Sequence, residues 1–155
     1  MALPPFQAAL DEHHDAVARF LAATVGRQEA EDCLQETLLS ALRAYPRLRP
    51  GSNVRAWMLT IARNKALDSH RVRARQPVPV GDAEPGGTAV MDGGSPDEEL
   101  WGAVRELPPK QRAAVVLRYV NDLSHREIAG VLDCSEAAAR RSLHEGLTKL
   151  REDWT

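Results

Sequence analysis

The sequence predicts an all-α protein in which two small helical domains are joined by a flexible linker. Apolar residues recur at helical spacing on both sides of a central segment. No segment shows the period of two that is typical of a β-strand. The central segment, residues 76–96, contains four prolines and five glycines, which a helix does not tolerate. The predicted domains therefore span residues 1–75 and 97–155.

Size and composition limit the classes of protein that fit. The chain has 155 residues, of which 43% are hydrophobic and only 5% aromatic, so its cores are expected to be aliphatic. No run approaches the roughly 18 apolar residues of a membrane-spanning helix, which argues against membrane insertion. The first residues lack the basic and apolar parts of a secretory signal, so we expect a cytoplasmic protein.

The cysteines and histidines show no spacing typical of a metal site. Cys33 and Cys134 form no CxxC pair, and the five histidines do not group with them. We therefore predict packed thiols, no metal and no cofactor. No phosphate-binding loop, nucleophile elbow or paired-carboxylate motif is present either, so we expect no enzymatic activity.

Three apolar series in the first domain each mark one buried helix face. The series are Leu10, Val17, Phe20 and Leu21; Leu34, Leu38, Ala41, Leu42 and Tyr45; and Val54, Trp57, Met58 and Ile61. Pro46 and Pro50-Gly51 separate the second helix from the third, and Ser52 or Asn53 is placed to cap the third helix. We expect three or four helices around a small core.

The second domain is predicted to begin with a short helix at Pro96 that carries acids in its first turn. This helix stops at Leu107-Pro108-Pro109. The next helix offers four residues for burial, namely Val115, Val116, Tyr119 and Val120.

The last two predicted helices have the arrangement of a helix-turn-helix. Ser124 and Glu127 form a capping box at the start of a short helix. Leu132-Asp133-Cys134 forms a tight turn, and Ser135 is placed to cap a longer final helix. The small residues Ala129 and Gly130 are expected where the two helices approach closely. A short helix, a tight turn and a longer polar helix are typical of helix-turn-helix DNA-binding domains.

The final helix is predicted to have one packing face and one DNA-binding face. Its packing contacts are assigned to Val131, Leu132, Leu143, Leu147 and Leu150. The outward residues are Arg140, Arg141, His144 and Lys149, with Glu136 and Ser142 near them. Arginine binds guanine with two parallel hydrogen bonds, and serine and lysine bind phosphates. The alternative is a solvated helix surface without a ligand.

Charge is strongly segregated although the net charge is only −2. The formal charge is −5 over residues 1–42, +8 over 43–75, −6 over 76–100 and +1 over 101–155. A segment as basic as 43–75 is typical of nucleic-acid binding. An arginine-rich, solvated helix end is the alternative interpretation.

Three stretches occur in a distinctive order: AEDCLQET at residues 30–37, VRAWMLTIARN at 54–64, and LPPKQR at 107–112 followed by residues 119–143. Together they resemble the extracytoplasmic-function (ECF) group of the sigma-70 family, the two-domain sigma factors of bacterial RNA polymerase. The first two stretches resemble region 2, and the third resembles region 4. The resemblance implies a helical region 2 bundle and a helix-turn-helix region 4 domain.

The resemblance implies that region 2 binds the clamp helices of the largest subunit of core RNA polymerase, and that region 4 binds the β flap. Asp32, Gln35, Glu36 and Leu39 are the residues implied for core binding. They lie on adjacent helical turns and combine charge with an apolar contact. An ordinary acidic helix face is the alternative.

The resemblance also assigns contacts to the promoter −10 element. The loop at residues 47–53 matches the family loop that receives a base flipped out of the strand. The residues implied to bind the single strand are Arg49, Asn53, Arg55, Asn64, Lys65, Arg71 and Arg73. Trp57 is assigned to the core rather than to a melting wedge, because it shares the apolar face with Val54 and Ile61.

Contacts to the −35 element are implied for the helix-turn-helix. The residues are Arg126, Glu136, Arg140, Arg141, Ser142, His144 and Lys149. Asp133, Glu145 and the stretch Ala137-Ala138-Ala139, which is less polar than the usual helix start, depart from the family pattern. Asp133 occupies a turn position where glycine is common, but aspartate tolerates a left-handed backbone. Glu145 replaces a basic residue of many relatives and would repel phosphate, so either the −35 sequence or the affinity for it is expected to be unusual.

The resemblance therefore implies a sigma factor that directs promoter-specific initiation, with core polymerase, promoter DNA and an anti-sigma factor as partners. The alternative is a stand-alone helix-turn-helix regulator that binds operator DNA as a dimer. The acidic linker could extend to about 70 Å at about 3.3 Å per residue. That length suits promoter elements about 17 base pairs, or about 58 Å, apart.

Overall fold

The computed structural model describes residues 3–75 and 96–154, with side chains described for residues 3–69 and 98–153. The described part contains seven α-helices and a short 3₁₀ turn, and no strand occurs in it. The helices are α1 (Phe6–Val25), α2 (Arg27–Ala44), α3 (Val54–Arg75), α4 (Pro96–Glu106), α5 (Pro109–Tyr119), α6 (His125–Leu132) and α7 (Glu136–Trp154), and the 3₁₀ turn is Tyr45–Arg47. The predicted all-α class is confirmed, and most of the predicted linker lies outside the described residues.

Helices α1–α3 form an N-terminal unit in which each helix packs on the other two. Val17, Phe20 and Leu21 of α1 are fully buried, as the apolar spacing predicts. They pack with Met58 and with Leu59, which is fully buried although it was absent from the predicted face. Helix α3 therefore packs on a face rotated from the one its apolar series predicts.

Trp57 is half-buried and packs against this core, as predicted. The centroid of its ring lies 6.0 Å from the ring centroid of Tyr45. The ring centroids of Tyr45 and Phe6 are 5.2 Å apart, in an edge-to-face arrangement. The Tyr45 hydroxyl donates to the carbonyl of Pro4. This aromatic group ties the start of α1 to the loop that precedes α3.

Helices α4–α7 form a C-terminal unit in which α5 and α6 pack on α7. Val115 and Val116 are buried as predicted, and Leu117 is fully buried beside them. Tyr119, predicted to be buried, is 62% exposed, so that prediction is wrong. In α5, Leu117 rather than Tyr119 is buried in the core.

The predicted helix caps are confirmed. At the start of α6 the Ser124 hydroxyl accepts from the Glu127 amide and the Glu127 carboxylate accepts from the Ser124 amide, which makes the capping box. Ser135 Oγ accepts from the Ala138 amide, 3.0 Å away, at the start of α7. Asp133 has the predicted left-handed backbone, with φ 56° and ψ 52°. These local contacts fix the helix-turn-helix geometry.

Of the two small residues predicted at the close approach between helices, Ala129 is buried and Gly130 is not, and the glycine with close neighbours is Gly146. Gly130 is exposed, and no atom lies within 4 Å of the position that a Cβ would take. At Gly146 a Cβ would lie 3.0 Å from Val115 Cγ2 and 3.4 Å from the Gln111 backbone oxygen. Helix α7 therefore approaches α5, rather than α6, at its glycine.

The two units pack against each other. Helix α3 contacts α6, and α1 contacts α4 and α5, so the buried side chains of both units form one continuous cluster. None of the described helices is long and apolar enough to span a membrane.

Candidate functional site

The outward face of α2 combines acidic, polar and apolar side chains. Asp32, Gln35 and Glu36 are exposed. Leu39 and Leu42 are 48% and 53% exposed, which is unusual for large aliphatic side chains. Leu42 was predicted to be buried, and that prediction is wrong because Cys33, Thr37 and Ala41 form the packing face instead.

Leu42 is the residue of this face that sequence reasoning missed. It follows Leu39 by three positions and Gln35 by seven, so it shares their side of the helix. That spacing was the signal that could have identified it. The five residues Asp32, Gln35, Glu36, Leu39 and Leu42 are called the α2 face below.

The loop before α3 is built around a tight turn. Gly51 has φ +86°, a backbone conformation that favours glycine. The Ser52 hydroxyl and the Ser52 amide both donate to the Arg49 carbonyl, at 2.7 and 3.2 Å. Asn53 Oδ1 accepts from the Ala56 amide at 3.0 Å and so caps α3, as predicted. Arg49 is exposed on this loop.

The basic and polar residues assigned to the −10 element do not all lie in one environment. Asn64 is exposed, whereas Arg55 and Lys65 are half-buried. Arg71 and Arg73 lie within α3, but their side chains lie outside the described set. Helix α3 therefore presents part of this predicted surface to solvent and part toward neighbouring elements.

Asn53 also contacts the C-terminal unit. Its Nδ2 donates to Glu127 Oε2 over 3.1 Å, so both ends of its amide are engaged. The pKa of Glu127 lies below its ordinary value, mainly because the Ser124 amide donates to the carboxylate. The Asn53 amide and the charge of Arg55 lower this pKa further, against an opposing effect of burial. Sequence reasoning predicted the Glu127 cap but not its contact with Asn53.

The exposed side of α7 carries most of the residues predicted for the −35 element. These are Glu136, Arg140, Arg141, His144 and Lys149, and Arg126 is exposed on α6. Glu136 and Arg140 form an ion pair of 2.8 Å one turn apart. Glu145, the acidic departure, is exposed beside them, and Gln111 Nε2 donates to it over 3.5 Å.

Ser142 corrects the predicted −35 set. It is only 7% exposed, because it lies on the side of α7 that packs on the other helices of the C-terminal unit. Its hydroxyl therefore does not share the solvent-facing surface with Arg141 and His144. The buried side of α7 also contains Leu143 and Leu150, as predicted, together with Ala139.

Comparison with protein-family models gives two matches in chain order. The model for sigma-70 region 2 matches residues 9–76, and the model for sigma-70 region 4 matches residues 97–150. Together these segments cover more than half of the chain and include nearly all of α1–α3 and of α4–α7.

Similar curated proteins and solved structures agree with these matches. The RNA polymerase sigma factor CarQ of Myxococcus xanthus is 36% identical over 95% of this chain and 87% of CarQ. The ECF RNA polymerase sigma factor SigX of Bacillus subtilis is 31% identical over 95% of this chain and 82% of SigX. The sigma factor RpoE in a co-crystal structure with the anti-sigma factor NepR, from Bartonella quintana, has the same fold, with a TM-score of 0.76. The two sequences are 24% identical, and the match covers 95% of this chain and 94% of the RpoE chain. The chain belongs to the sigma-70 family of RNA polymerase sigma factors, in its ECF group.

Proposed function

We propose that the α2 face is the surface by which this sigma factor binds core RNA polymerase, at the clamp helices of the largest subunit. In this proposal residues 1–75 bind core and the −10 element, and residues 97–155 bind the −35 element and the β flap. Residues 76–96 join the two parts. The chain supplies recognition and the polymerase supplies the chemistry.

The observation that carries this proposal is the pair of exposed leucines on α2. Leu39 and Leu42 expose about half of their surface, whereas Cys33, Thr37 and Ala41 on the opposite side are buried. Apolar residues ringed by acids and amides are typical of a protein-binding surface with a basic, partly apolar partner. The acidic charge of residues 1–42 gives that partner an attractive field.

The experiment is a titration of core polymerase with fluorescently labelled sigma factor and its Leu39→Gln, Leu42→Gln and Glu36→Gln variants. Each leucine variant is expected to weaken core binding about tenfold or more, as truncation of a central interface residue does. Glu36→Gln is expected to have a smaller, salt-dependent effect. Asp15→Asn is the matched control, because it removes one exposed acid of the same unit from α1 instead of α2. Unchanged core binding by both leucine variants would contradict the proposal.

The loop at residues 47–53 and the exposed part of α3 are proposed to bind the −10 strand. Arg49 and Asn64 are exposed, and no atom lies within 4 Å of the position that a Cβ would take at Gly51 of the loop. Asn53, Arg55, Lys65, Arg71 and Arg73 complete the proposed set. Positive charge along the backbone and polar groups near an unstacked base suit a single strand.

The exposed residues of α7 are proposed to read the −35 element. Arg141 is exposed near the N-terminal part of α7, which is the part of a recognition helix that contacts base edges. Arg140 is oriented by Glu136, and His144 and Lys149 lie further along the exposed side. Arg126 on α6 is placed to contact phosphate. Arg141→Ala should reduce −35 discrimination in transcription assays while core affinity stays unchanged.

An anti-sigma protein is proposed as a further partner, with the cytoplasm as the compartment of both. The solved RpoE structure contains the anti-sigma factor NepR, and a solved CnrH structure contains the cytosolic domain of CnrY. Co-purification of the chain with a protein that blocks core binding would test this proposal. The Leu39 and Leu42 variants then show whether that protein covers the α2 face.

A further inference from the structure

The exposed side of α7 carries a carboxylate that no ion pair neutralises. Glu145 is exposed one helical turn after Arg141, so the two side chains lie on the same side of the helix. Among the residues whose side chains the structure describes, none forms an ion pair with Glu145, whereas Glu136 pairs with Arg140 over 2.8 Å. Glu145 therefore offers a charged acceptor within the surface proposed to bind the −35 element.

Close packing between α5 and α7 fixes the backbone at this position. The next residue, Gly146, is buried, and a Cβ there would lie 3.0 Å from Val115 Cγ2 and 3.4 Å from Gln111 Cβ. The glycine therefore lets α5 approach α7 closely, directly beside Glu145. Because closely packed helices resist displacement, the Glu145 side chain starts from a fixed point on α7.

A side chain of α5 restrains the carboxylate itself. Gln111 is half-buried, and its Nε2 donates to Glu145 Oε1 over 3.5 Å, near the long limit for a hydrogen bond. Gln111 Oε1 is buried and has no hydrogen-bond partner among the described residues. The amide thus turns its donor end toward Glu145, and the second carboxylate oxygen of Glu145 is available to accept from a ligand.

The start of α7 offers little else that could read a base by hydrogen bonds. Ala137 is exposed and Ala138 is half-buried, and each carries only a methyl group. In a recognition helix the N-terminal part contacts base edges. Polar base contacts in this part of α7 therefore fall to Arg141 and to the exposed residues one turn beyond it, His144 and Glu145.

The chemistry of a carboxylate decides which base it binds. An ionised carboxylate only accepts hydrogen bonds, and in the major groove the donors are the amino groups of cytosine N4 and adenine N6. Adenine places its N7 acceptor beside that donor, where it repels a carboxylate, and guanine and thymine present the acceptors O6 and O4. Cytosine is therefore the base that Glu145 fits best.

We propose that Glu145 is a specificity residue of the −35 surface, which accepts from the N4 amino group of a cytosine, and that Gln111 is a positioning residue that holds its carboxylate. This inference rests on the proposed function of α7 and deepens it. A guanine or thymine at the same position places an acceptor against the charge, which adds discrimination by repulsion.

The helix geometry also places the cytosine. Glu145 and Arg141 are about 6 Å apart along the helix axis, since four residues rise about 1.5 Å each. Neighbouring base pairs are about 3.4 Å apart. The cytosine is therefore expected one or two base pairs from the pair that Arg141 contacts.

The test is a binding selection with holoenzyme, assembled from core polymerase and the full chain, on promoter fragments whose −35 element is randomised. Sequencing of the bound fragments gives the relative affinity for each base at each position. Wild-type holoenzyme is expected to prefer cytosine at one position by about fivefold or more. This position should lie beside the one that Arg141→Ala affects.

Glu145→Gln is the decisive variant, because glutamine has the same shape but pairs with adenine N6 and N7. At the cytosine position the preference for cytosine should fall about fivefold or more and that for adenine should rise, with the other positions unchanged. Glu145→Ala should abolish the preference without creating another. Both variants remove a negative charge, so the affinity for all fragments should also rise at low salt.

Asp153→Asn is the matched control, because it removes one exposed acid from the same helix two turns beyond Glu145. It should give the wild-type base profile. Gln111→Met keeps the length of the side chain but removes the amide that restrains Glu145. It should lower the cytosine preference about twofold or more, because the freed carboxylate must be ordered on binding, and leave the other positions unchanged. An unaltered cytosine preference in this variant would overturn the positioning role of Gln111.

The outcomes separate this inference from the proposed function. No cytosine preference in the wild type, a base profile unchanged by Glu145→Gln, or the same change with Asp153→Asn would overturn the role of Glu145, even if Arg141→Ala loses −35 discrimination. A loss confined to the position that Arg141→Ala affects would also overturn it, because Glu145 would then only orient Arg141. If Arg141→Ala leaves the −35 profile unchanged as well, α7 does not read the element, and the proposed function of α7 fails together with the inference.

Discussion

Glu127 links local and long-range structure through one carboxylate. It accepts from the Ser124 amide at 2.9 Å, which closes the capping box of α6, and from Asn53 Nδ2 at 3.1 Å, which joins the two units. These donors hold the pKa of its carboxyl below the ordinary value. A single side chain thus contributes both to the start of the helix-turn-helix and to the contact between units.

The first prediction concerns pH. A carboxylate whose pKa is lowered by folding contributes stability that is complete above its unfolded pKa of about 4.3, and this contribution disappears as pH falls through the lower folded value. Glu127→Gln keeps the capping geometry but has no charge. At pH 7 the wild type should be more stable by about 0.5–1 kcal/mol, since hydrogen bonds to charged groups are the stronger ones. This difference should shrink as the pH falls from about 5 toward about 2.

Urea unfolding of the wild type and of Glu127→Gln across this pH range measures the difference in their free energies of unfolding. Glu106→Gln is the control, because Glu106 is an exposed acid at the end of α4; it should follow the wild-type curve. A wild-type advantage that stays constant or grows on acidification would contradict the assigned role of the Glu127 charge.

At the scale of single helices, the sequence predicted where elements begin and end better than which side of each is buried. The caps at Asn53, Ser124 and Ser135 were predictable because they depend on residues three or four positions apart. Leu42 and Tyr119 were assigned to the core and are exposed. Apolar spacing marks a stripe on a helix, but the neighbouring helices decide which side of that stripe is covered.

The candidate surfaces show the same limit. The family resemblance located the stretch of α2 and the final helix, but it could not exclude Ser142, which packing turns inward. It also could not supply Leu42, whose exposure depends on the packing of Cys33, Thr37 and Ala41 against the other helices. Motifs identify a segment, and the tertiary contacts of that segment select the residues that reach a partner.

The second prediction compares two glycines in helices. Gly146→Ala gains helix propensity of about 1 kcal/mol, but its Cβ would lie 3.0 Å from Val115 Cγ2 and 3.4 Å from the Gln111 backbone oxygen. Val115 is buried and β-branched, and the backbone oxygen is held in α5, so neither neighbour moves easily. We expect a net destabilisation of about 1–2 kcal/mol.

Gly130→Ala is the matched substitution, because Gly130 is also helical but no atom lies within 4 Å of its Cβ position. It should stabilise the protein by up to about 1 kcal/mol. Thermal and urea unfolding measure the change in the free energy of unfolding for both variants. Stabilisation by Gly146→Ala as large as that by Gly130→Ala would show that α5 and α7 approach less closely than the structure indicates.

At the scale of the whole molecule, the contact between the two units could not be predicted from the sequence. Arg112 and Asn121 lie in the stretches that resemble region 4, but no contact was predicted for either residue, and their partners, Thr24 O and Ala16 O, are backbone atoms that leave no side-chain pattern. The prediction of two domains was nevertheless useful. If each domain binds one promoter element, the separation of the elements sets the distance that the protein must span.

These dimensions give the third prediction. A compact chain of this length has a radius of gyration of about 15 Å, which corresponds to a sphere of about 39 Å across. Promoter elements separated by about 17 base pairs are about 58 Å apart. Because the chain with its two units packed together is shorter than this separation, the units must part to bind both elements. Spin labels at two exposed positions, Glu31 of α2 and Glu152 of α7, measure the distance between the units by electron spin resonance. Binding to core polymerase and promoter DNA should replace the short distance of the free chain by one longer by about 20 Å or more. If the short distance instead persists in complexes that initiate transcription, the units read DNA while still in contact, and the division of the promoter between α3 and α7 would have to be abandoned.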